Sequence, residues 1–273
     1  MGFAIWNLGC GTGDLGSIRN TRNALTRVML LWTALFLLGC NTESAPDCLQ
    51  NAGNMVREEV VVPDFTKITV FENVSLVIKQ GDVQKVEIAT GEYLRDEVSV
   101  KVEGDRLLLR DTNDCNYFRE YGLTTVYITS PNISEIRSST GWRIKSDGVL
   151  AYDSLSLLSE SFNVPEAATT DGEFDLEVDN QNLSVVVNGI AYFRLKGTTD
   201  TLRLTIAAGD SRIEAADVTA QNVILNHRGS NDMLVNPQAS IQGAIRATGD
   251  VISSNRPDSI SVEELYRGRL LFR

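Results

Sequence analysis

Leu183-Ser-Val-Val-Val-Asn-Gly189, Arg203-Leu-Thr-Ile-Ala-Ala-Gly209, Val223-Ile-Leu-Asn-His-Arg-Gly229 and Gly243-Ala-Ile-Arg-Ala-Thr-Gly249 are short runs that each end on a glycine, and the glycines fall 20 residues apart. A fixed period of this length marks a chain that stacks one small unit on the next. The period holds in other columns. Five residues before the glycines stand Ser184, Leu204, Ile224 and Ala244, and four after them stand Phe193, Ile213, Met233 and Ser253. Mostly apolar columns are what inward-facing ladders require. Eight residues after the glycines stand Gly197, Asp217, Pro237 and Pro257, turn-formers that predict a second corner in each coil. At the first corner a glycine supplies the positive φ that other residues adopt only at a cost.

Upstream the pattern continues in Ile133-Ser-Glu-Ile-Arg-Ser-Ser-Thr-Gly141 and in Leu155-Ser-Leu-Leu-Ser-Glu-Ser161, with Pro165-Glu-Ala-Ala-Thr-Thr-Asp-Gly172 read as an inserted loop. The expectation is an all-β chain: a β-solenoid or β-helix-like stack of about six coils from roughly residue 124 to 256. The alternative is a β-sandwich with evenly spaced turns.

At the other end, Arg19, Arg22 and Arg27 precede an apolar run from Val28 to Leu38, followed by Gly39 and Cys40. This is a charged region, an apolar core and a small-residue cleavage site. The run is too short to span a hydrocarbon layer that needs about 20 residues, so residues 1–39 read as an export signal. Leu37-Leu38-Gly39-Cys40 resembles the bacterial lipobox, which makes Cys40 the lipidated first residue of the mature protein. Polar residues then form a tether over 40–56. Asn41, where an aspartate would signal inner-membrane retention, favours the outer membrane, facing the periplasm or the cell surface.

Export gives the cysteines a meaning, because thiols in an oxidising compartment tend to pair. With Cys10 in the signal and Cys40 on the lipid, Cys48 and Cys115 remain as a disulfide. It would close a loop of about 68 residues, worth roughly 4 kcal/mol in the chain-entropy model. No further Cys or His stands at ligand spacing, so neither a metal nor a cofactor is expected.

The chain carries 25 basic and 36 acidic residues; without the signal's Arg19, Arg22, Arg27 and Asp14 the balance is 22 to 35. Such acidity argues against nucleic acid as a partner. Residues 57–129 also alternate in a β pattern, as in Val74-Ser-Leu-Val-Ile-Lys79 and Val98-Ser-Val-Lys-Val102, but lack the glycine period. They are expected to form an N-terminal β region that packs on or caps coils occupying 130–273, whose last segment, Val262 to Phe272, reads as a cap strand.

The segment Asp64-Phe-Thr-Lys-Ile-Thr-Val-Phe-Glu-Asn-Val-Ser-Leu-Val-Ile-Lys-Gln-Gly81, the glycine corners and Asn226-His-Arg-Gly-Ser-Asn-Asp-Met233 together resemble the head GIN domain family, Gram-negative lipoproteins labelled "putative auto-transporter adhesin". The resemblance covers nearly all of the mature chain and implies a β-solenoid-like fold and a binding role. The chain reads Gly189-Ile190-Ala191 where Gly-Ile-Asn would match the name, and no translocator barrel follows.

Parallel β-solenoids also carry polysaccharide lyases and hydrolases that work through paired carboxylates. Asp210 and Asp250 each follow a corner glycine, with Ser230 in the same column. Two coil steps would put the carboxylates about 10 Å apart. Asp after Gly is also ordinary turn chemistry. His227, the only histidine, has an adjacent Arg228 but no identified orienting partner, and it shares its expected column with Val187, Ala207 and Ala247. No Gly-x-Ser-x-Gly or His-Glu-x-x-His motif is present. Trp142 and Tyr192 are the aromatic residues best placed to stack on a sugar. The sequence therefore predicts an envelope lipoprotein that binds a glycan or a protein through a rigid β surface without catalysis. The alternatives are a carbohydrate-active β-helix enzyme and a purely structural envelope protein.

Overall fold

The computed structural model describes residues 47–113, 115–117, 119–162, 167 and 169–273. The segment read as an export signal, Cys40 and the first part of the segment read as a tether lie outside them. Eighteen strands among the described residues join in one sheet, and their pairings fall into two series. The first series runs β5 (Val98–Glu103), β6 (Arg106–Asp111), β2 (Lys67–Val70), β8 (Glu135–Ser138) and β10 (Ser154–Ser159). It continues through the C-terminal halves of β11 (Glu173–Gly189), β12 (Tyr192–Gly209) and β13 (Arg212–His227) to β15 (Pro237–Ile245) and β17 (Ser259–Glu264). The second series runs β1 (Met55–Glu59), β4 (Lys85–Gly91), β7 (Thr124–Ser130), β3 (Val74–Gln80) and β9 (Arg143–Leu150). It continues through the N-terminal halves of β11, β12 and β13 to β14 (Met233–Val235), β16 (Val251–Ser253) and β18 (Leu270–Phe272).

Every pairing is parallel except β5 with β6, β1 with β4 and β4 with β7. Parallel neighbours need a crossover. Here strands of the other series provide it, and from β6 onward the chain alternates between the two series as it advances.

Alternation along each strand sends every second side chain inward. In β11 the buried positions are Phe174, Leu176, Val178, Asn180, Leu183, Val185 and Val187. Across the strands these become columns: Ile144, Phe174, Phe193, Ile213, Met233, Val251 and Leu270 in one series, and Leu107, Ile68, Ile136, Leu157, Val185, Leu204 and Leu225 in the other. The Phe174 and Phe193 rings stack with centroids 4.6 Å apart. Leu270, at the end of its column, is only partly buried; each fully buried side chain of these columns contributes roughly 1.5–3 kcal/mol. One buried cluster extends from Phe65 to Val251 without a break.

Several expectations need correction. The β region placed at 57–129 is not a separate sheet, because β2, β3, β6 and β7 belong to the same parallel ladders as the later strands. The cap lies at this end, where β1, β4 and β5 turn antiparallel. The segment from Val262 to Phe272, read as a cap, instead continues the ladders: Val262 pairs with Gly243 and Leu270 with Val251. The tether is also shorter than 40–56, since β1 begins at Met55, Gln50 is buried, and Cys48 is joined to Cys115 by a disulfide.

The ladder advances by 17 to 21 residues per step from Phe174 onward, and it lengthens to 30 from Ile144 to Phe174, across the segment read as an insertion. Unequal steps and bulges at Val187/Asn188, Arg194/Lys196 and Ala220/Asn222 displace some expected columns. Leu204 faces inward beside Val185 and Leu225, whereas Ser184 and Ile224 are half-exposed on the other side of their strands. Val251, not Ser253, continues the Phe193 column. Gly197 pairs with Val178 and Val218, out of register with Asp217 and Pro237.

Of the corner glycines, Gly189 and Gly209 have φ of 136° and 95°. Gly229 and Gly249 are outside the left-handed region and are small for another reason: a Cβ on Gly249 would stand 2.0 Å from the Asn231 carbonyl oxygen and 2.6 Å from Nε2 of His227. Gly141 is not in this column. The residue below Gly189 is Thr170, whose carbonyl accepts from the N–H of Ile190.

Candidate functional site

The outward-facing positions of the second series make a continuous polar face. Thr125, Ser75, Arg143, Glu173, Tyr192 and Arg212 follow one another across successive strands. Beside them run Tyr127, Val77, Lys145, Asp175, Arg194 and Glu214. The charges alternate in sign and pair across the ladder. The Glu173 carboxylate accepts from Arg143 at 2.8 Å and also from Arg194, and Lys196 meets Glu177 at 3.0 Å. Exposed pairs of this kind add little stability individually, but a network holds long side chains in place.

At the β3, β7 and β9 end of this face lies a cleft of about 460 Å³. Tyr127 and Trp142 bring aromatic surface to it, and Arg143, Lys145 and Glu173 bring charge. Trp142 is half-exposed at the entry to β9, and its backbone N–H donates to Oγ1 of Thr140 at 3.1 Å. Its ring lies against Gly122, where any Cβ would come within 2.5 Å of it. The glycine thus gives the indole its seat. Arg57 lies over the Tyr127 ring, its guanidinium carbon 4.0 Å from the ring centroid, while also holding Glu87 at 3.1 Å.

Tyr192 stands two strands beyond Arg143, the neighbour of Trp142, or about 10 Å along the ladder. Partial burial and the Glu214 carboxylate push its phenol above the ordinary value. In turn Tyr192 and Arg212 hold the Glu214 carboxyl below its ordinary range. Trp142 and Tyr192 therefore share a face, but only Trp142 lines the cleft. Tyr127, Arg143 and Lys145 were not picked out from the sequence; the alternation of β7, which turns Thr125 and Tyr127 outward, was the available signal.

The residues considered for catalysis do not converge. The Ser230 hydroxyl donates to Asp210 at 2.7 Å on the exposed surface. The ladder then shifts: the N–H of Gly249 donates to the Gly229 carbonyl, and Asp250 falls in register with Asp232. Asp250 instead accepts from the backbone N–H of Arg269 at 2.8 Å. His227 is fully buried between Ile206 and Ile245, rather than in a column with Ala207 and Ala247. Its Nδ1 accepts from the Gly229 N–H at 3.3 Å. Among the described residues no group of three or more His, Cys, Asp or Glu could hold a metal ion, and no helix is long and apolar enough to cross a membrane.

Burial pushes the His227 imidazole below its ordinary value, with Asn231, Asp232 and Asp250 opposing. The unfolded chain therefore takes up the proton first, and stability falls as pH drops below about 6.5. A His227→Leu chain should show a flatter dependence of Tm on pH between about 5 and 7, a range in which carboxylates titrate little. Parallel curves for the two proteins would contradict this assignment. With a single histidine in the chain, no other imidazole can confuse the result.

A family profile described as "Putative auto-transporter adhesin, head GIN domain" matches residues 64–257. Among solved structures, a "putative adhesin" from Bacteroides fragilis is similar with a TM-score of 0.70 at 20% identity, covering 81% of this chain and 97% of the other. A "putative adhesin" from Parabacteroides merdae gives a TM-score of 0.58 at 16% identity, covering 81% and 98%. A "putative lipid binding protein" from Parabacteroides distasonis gives 0.57 at 16%, covering 80% and 97%. At these identities the likeness is one of fold. No curated protein matches the chain.

Proposed function

The chain belongs to the head GIN domain family of "putative auto-transporter adhesins", and on that premise we propose that it is a non-catalytic binding module of the cell envelope, anchored through a lipid on Cys40 in the outer membrane. The observation that carries this reading is the cleft in which Tyr127 and Trp142 meet Arg143, Lys145 and Glu173. Aromatic surface beside a few convergent polar groups suits a sugar ring, which has an apolar face and a hydroxyl rim. The ligand class proposed is a glycan; a protein would be the other occupant of the same face. The ladders are proposed to wind as coils of a β-solenoid, a stiff support that keeps the cleft formed before a ligand arrives. A net charge of −11 argues against nucleic acid in it.

The test uses the full chain in a nonionic detergent, titrated with a panel of neutral oligosaccharides. Trp142→Ala should weaken binding about tenfold or more, as loss of a central aromatic anchor does, with the melting curve kept. Unchanged affinity would remove the cleft from the reading. Absence of binding across the panel would remove the glycan and leave a protein ligand or a purely structural role in its place.

A further inference from the structure

A second groove, of about 530 Å³, lies on the first series of strands, between β5 and β8. Its lining is basic in a chain that is acidic overall. Lys101, Arg106, Arg110 and Arg137 face it, against Glu103 and Asp105.

These cations are not all neutralised by the protein. Arg106 donates to Glu135 at 2.7 Å and to Oγ1 of Thr69 at 3.1 Å. Arg137 is 5% exposed and uses one nitrogen, Nη1, for both of its bonds to Glu160, while its buried Nε has no partner. Among the described residues neither Lys101 nor Arg110 has a carboxylate within ion-pairing distance. Arg110 lies over the buried Phe71, its guanidinium carbon 3.3 Å from the ring centroid, a contact that holds the group at the groove. A guanidinium held in place without a carboxylate partner is suited to bidentate recognition of a planar or tetrahedral oxyanion.

We propose that this groove binds an oxyanion, a carboxylate or a phosphate, carried by a small ligand. Lys101 and Arg110 make the contacts, and the Arg137–Glu160 and Arg106–Glu135 pairs form the fixed wall behind them. The volume is within the range of small-ligand sites, so a monosaccharide or disaccharide acid fits as well as a free anion. The groove is separate from the Trp142 cleft and does not depend on what binds there.

The test is calorimetric titration of the full chain in nonionic detergent with glucuronate, inorganic phosphate and glucose. Binding of at least one anion and none of glucose is expected, weakening as salt is raised. Lys101→Gln and Arg110→Gln should each weaken it about tenfold, the loss typical of a charged hydrogen bond; Lys101→Gln should leave Tm unchanged, and Arg110→Lys, which keeps the charge but loses the fork, should weaken binding less than Arg110→Gln. Trp142→Ala should leave it as it is. Glucuronate alone would identify a sugar acid as the source, and phosphate alone a phosphorylated ligand. Equal binding by both variants and the parent, or no saturable binding of either anion, would overturn the proposal.

Discussion

Gly209→Ala is expected to destabilise the protein by about 3 kcal/mol or more. Gly209 has a φ of 95°, and a Cβ there would stand 2.1 Å from the carbonyl oxygen of Gly189. That same oxygen accepts from the N–H of Asp210 at 2.8 Å, so it cannot retreat without opening the ladder. Gly104 separates the two contributions, because it too has a positive φ, 64°, but nothing lies within 4 Å of its missing side chain. Gly104→Ala should therefore lose only the conformational part, about 1–2 kcal/mol. Urea unfolding followed by far-UV circular dichroism measures both. Equal losses would mean that the close approach of successive strands at Gly209 carries no cost of its own.

Phe193→Ala should cost about 3–5 kcal/mol, the range for truncating a fully buried aromatic ring. Phe193 is fully buried, stacked on Phe174 and followed in its column by Ile213. Neighbours on both sides of a ladder are held by the same backbone bonds, so they collapse poorly into the space left behind. Phe162, which is 55% exposed, is the comparison. Phe162→Ala should change stability by less than about 0.5 kcal/mol. Similar midpoints for the two variants would contradict the assignment of the Phe174–Phe193 column to the core.

The Phe193, Ile213 and Met233 column was readable in the sequence because those residues are 20 apart and no bulge lies between their strands' facing positions. The next member was misread as Ser253, since the step from Met233 to Val251 is 18 residues. Bulges hid the other column: one extra residue reverses which side of a strand faces inward, so Ser184 and Leu204, 20 apart, point to opposite sides. The N-terminal ladders carry no period at all, because β6 and β7 lie outside β2 and β3, against the order of the chain.

The candidate site was less legible than the fold. Trp142 stood out as a rare aromatic, but the cleft is made by pairing it with Tyr127 across β7, β3 and β9, and those registers are not local in sequence. Asp210 and Asp250 looked equivalent because each follows a glycine. The shortened step after Ser230 sets them in different columns. His227 looked available beside Arg228, yet strand alternation turns it into the core, where Gly229 and Gly249 leave room for its ring.

Binding without conversion is tested by incubating the full chain in nonionic detergent with neutral and acidic oligosaccharides and measuring capture and product in the same samples. Saturable capture of at least one sugar is expected, with no reducing ends or unsaturated sugars above the protein-free blank. Product formation, or capture of none of the panel, would contradict it.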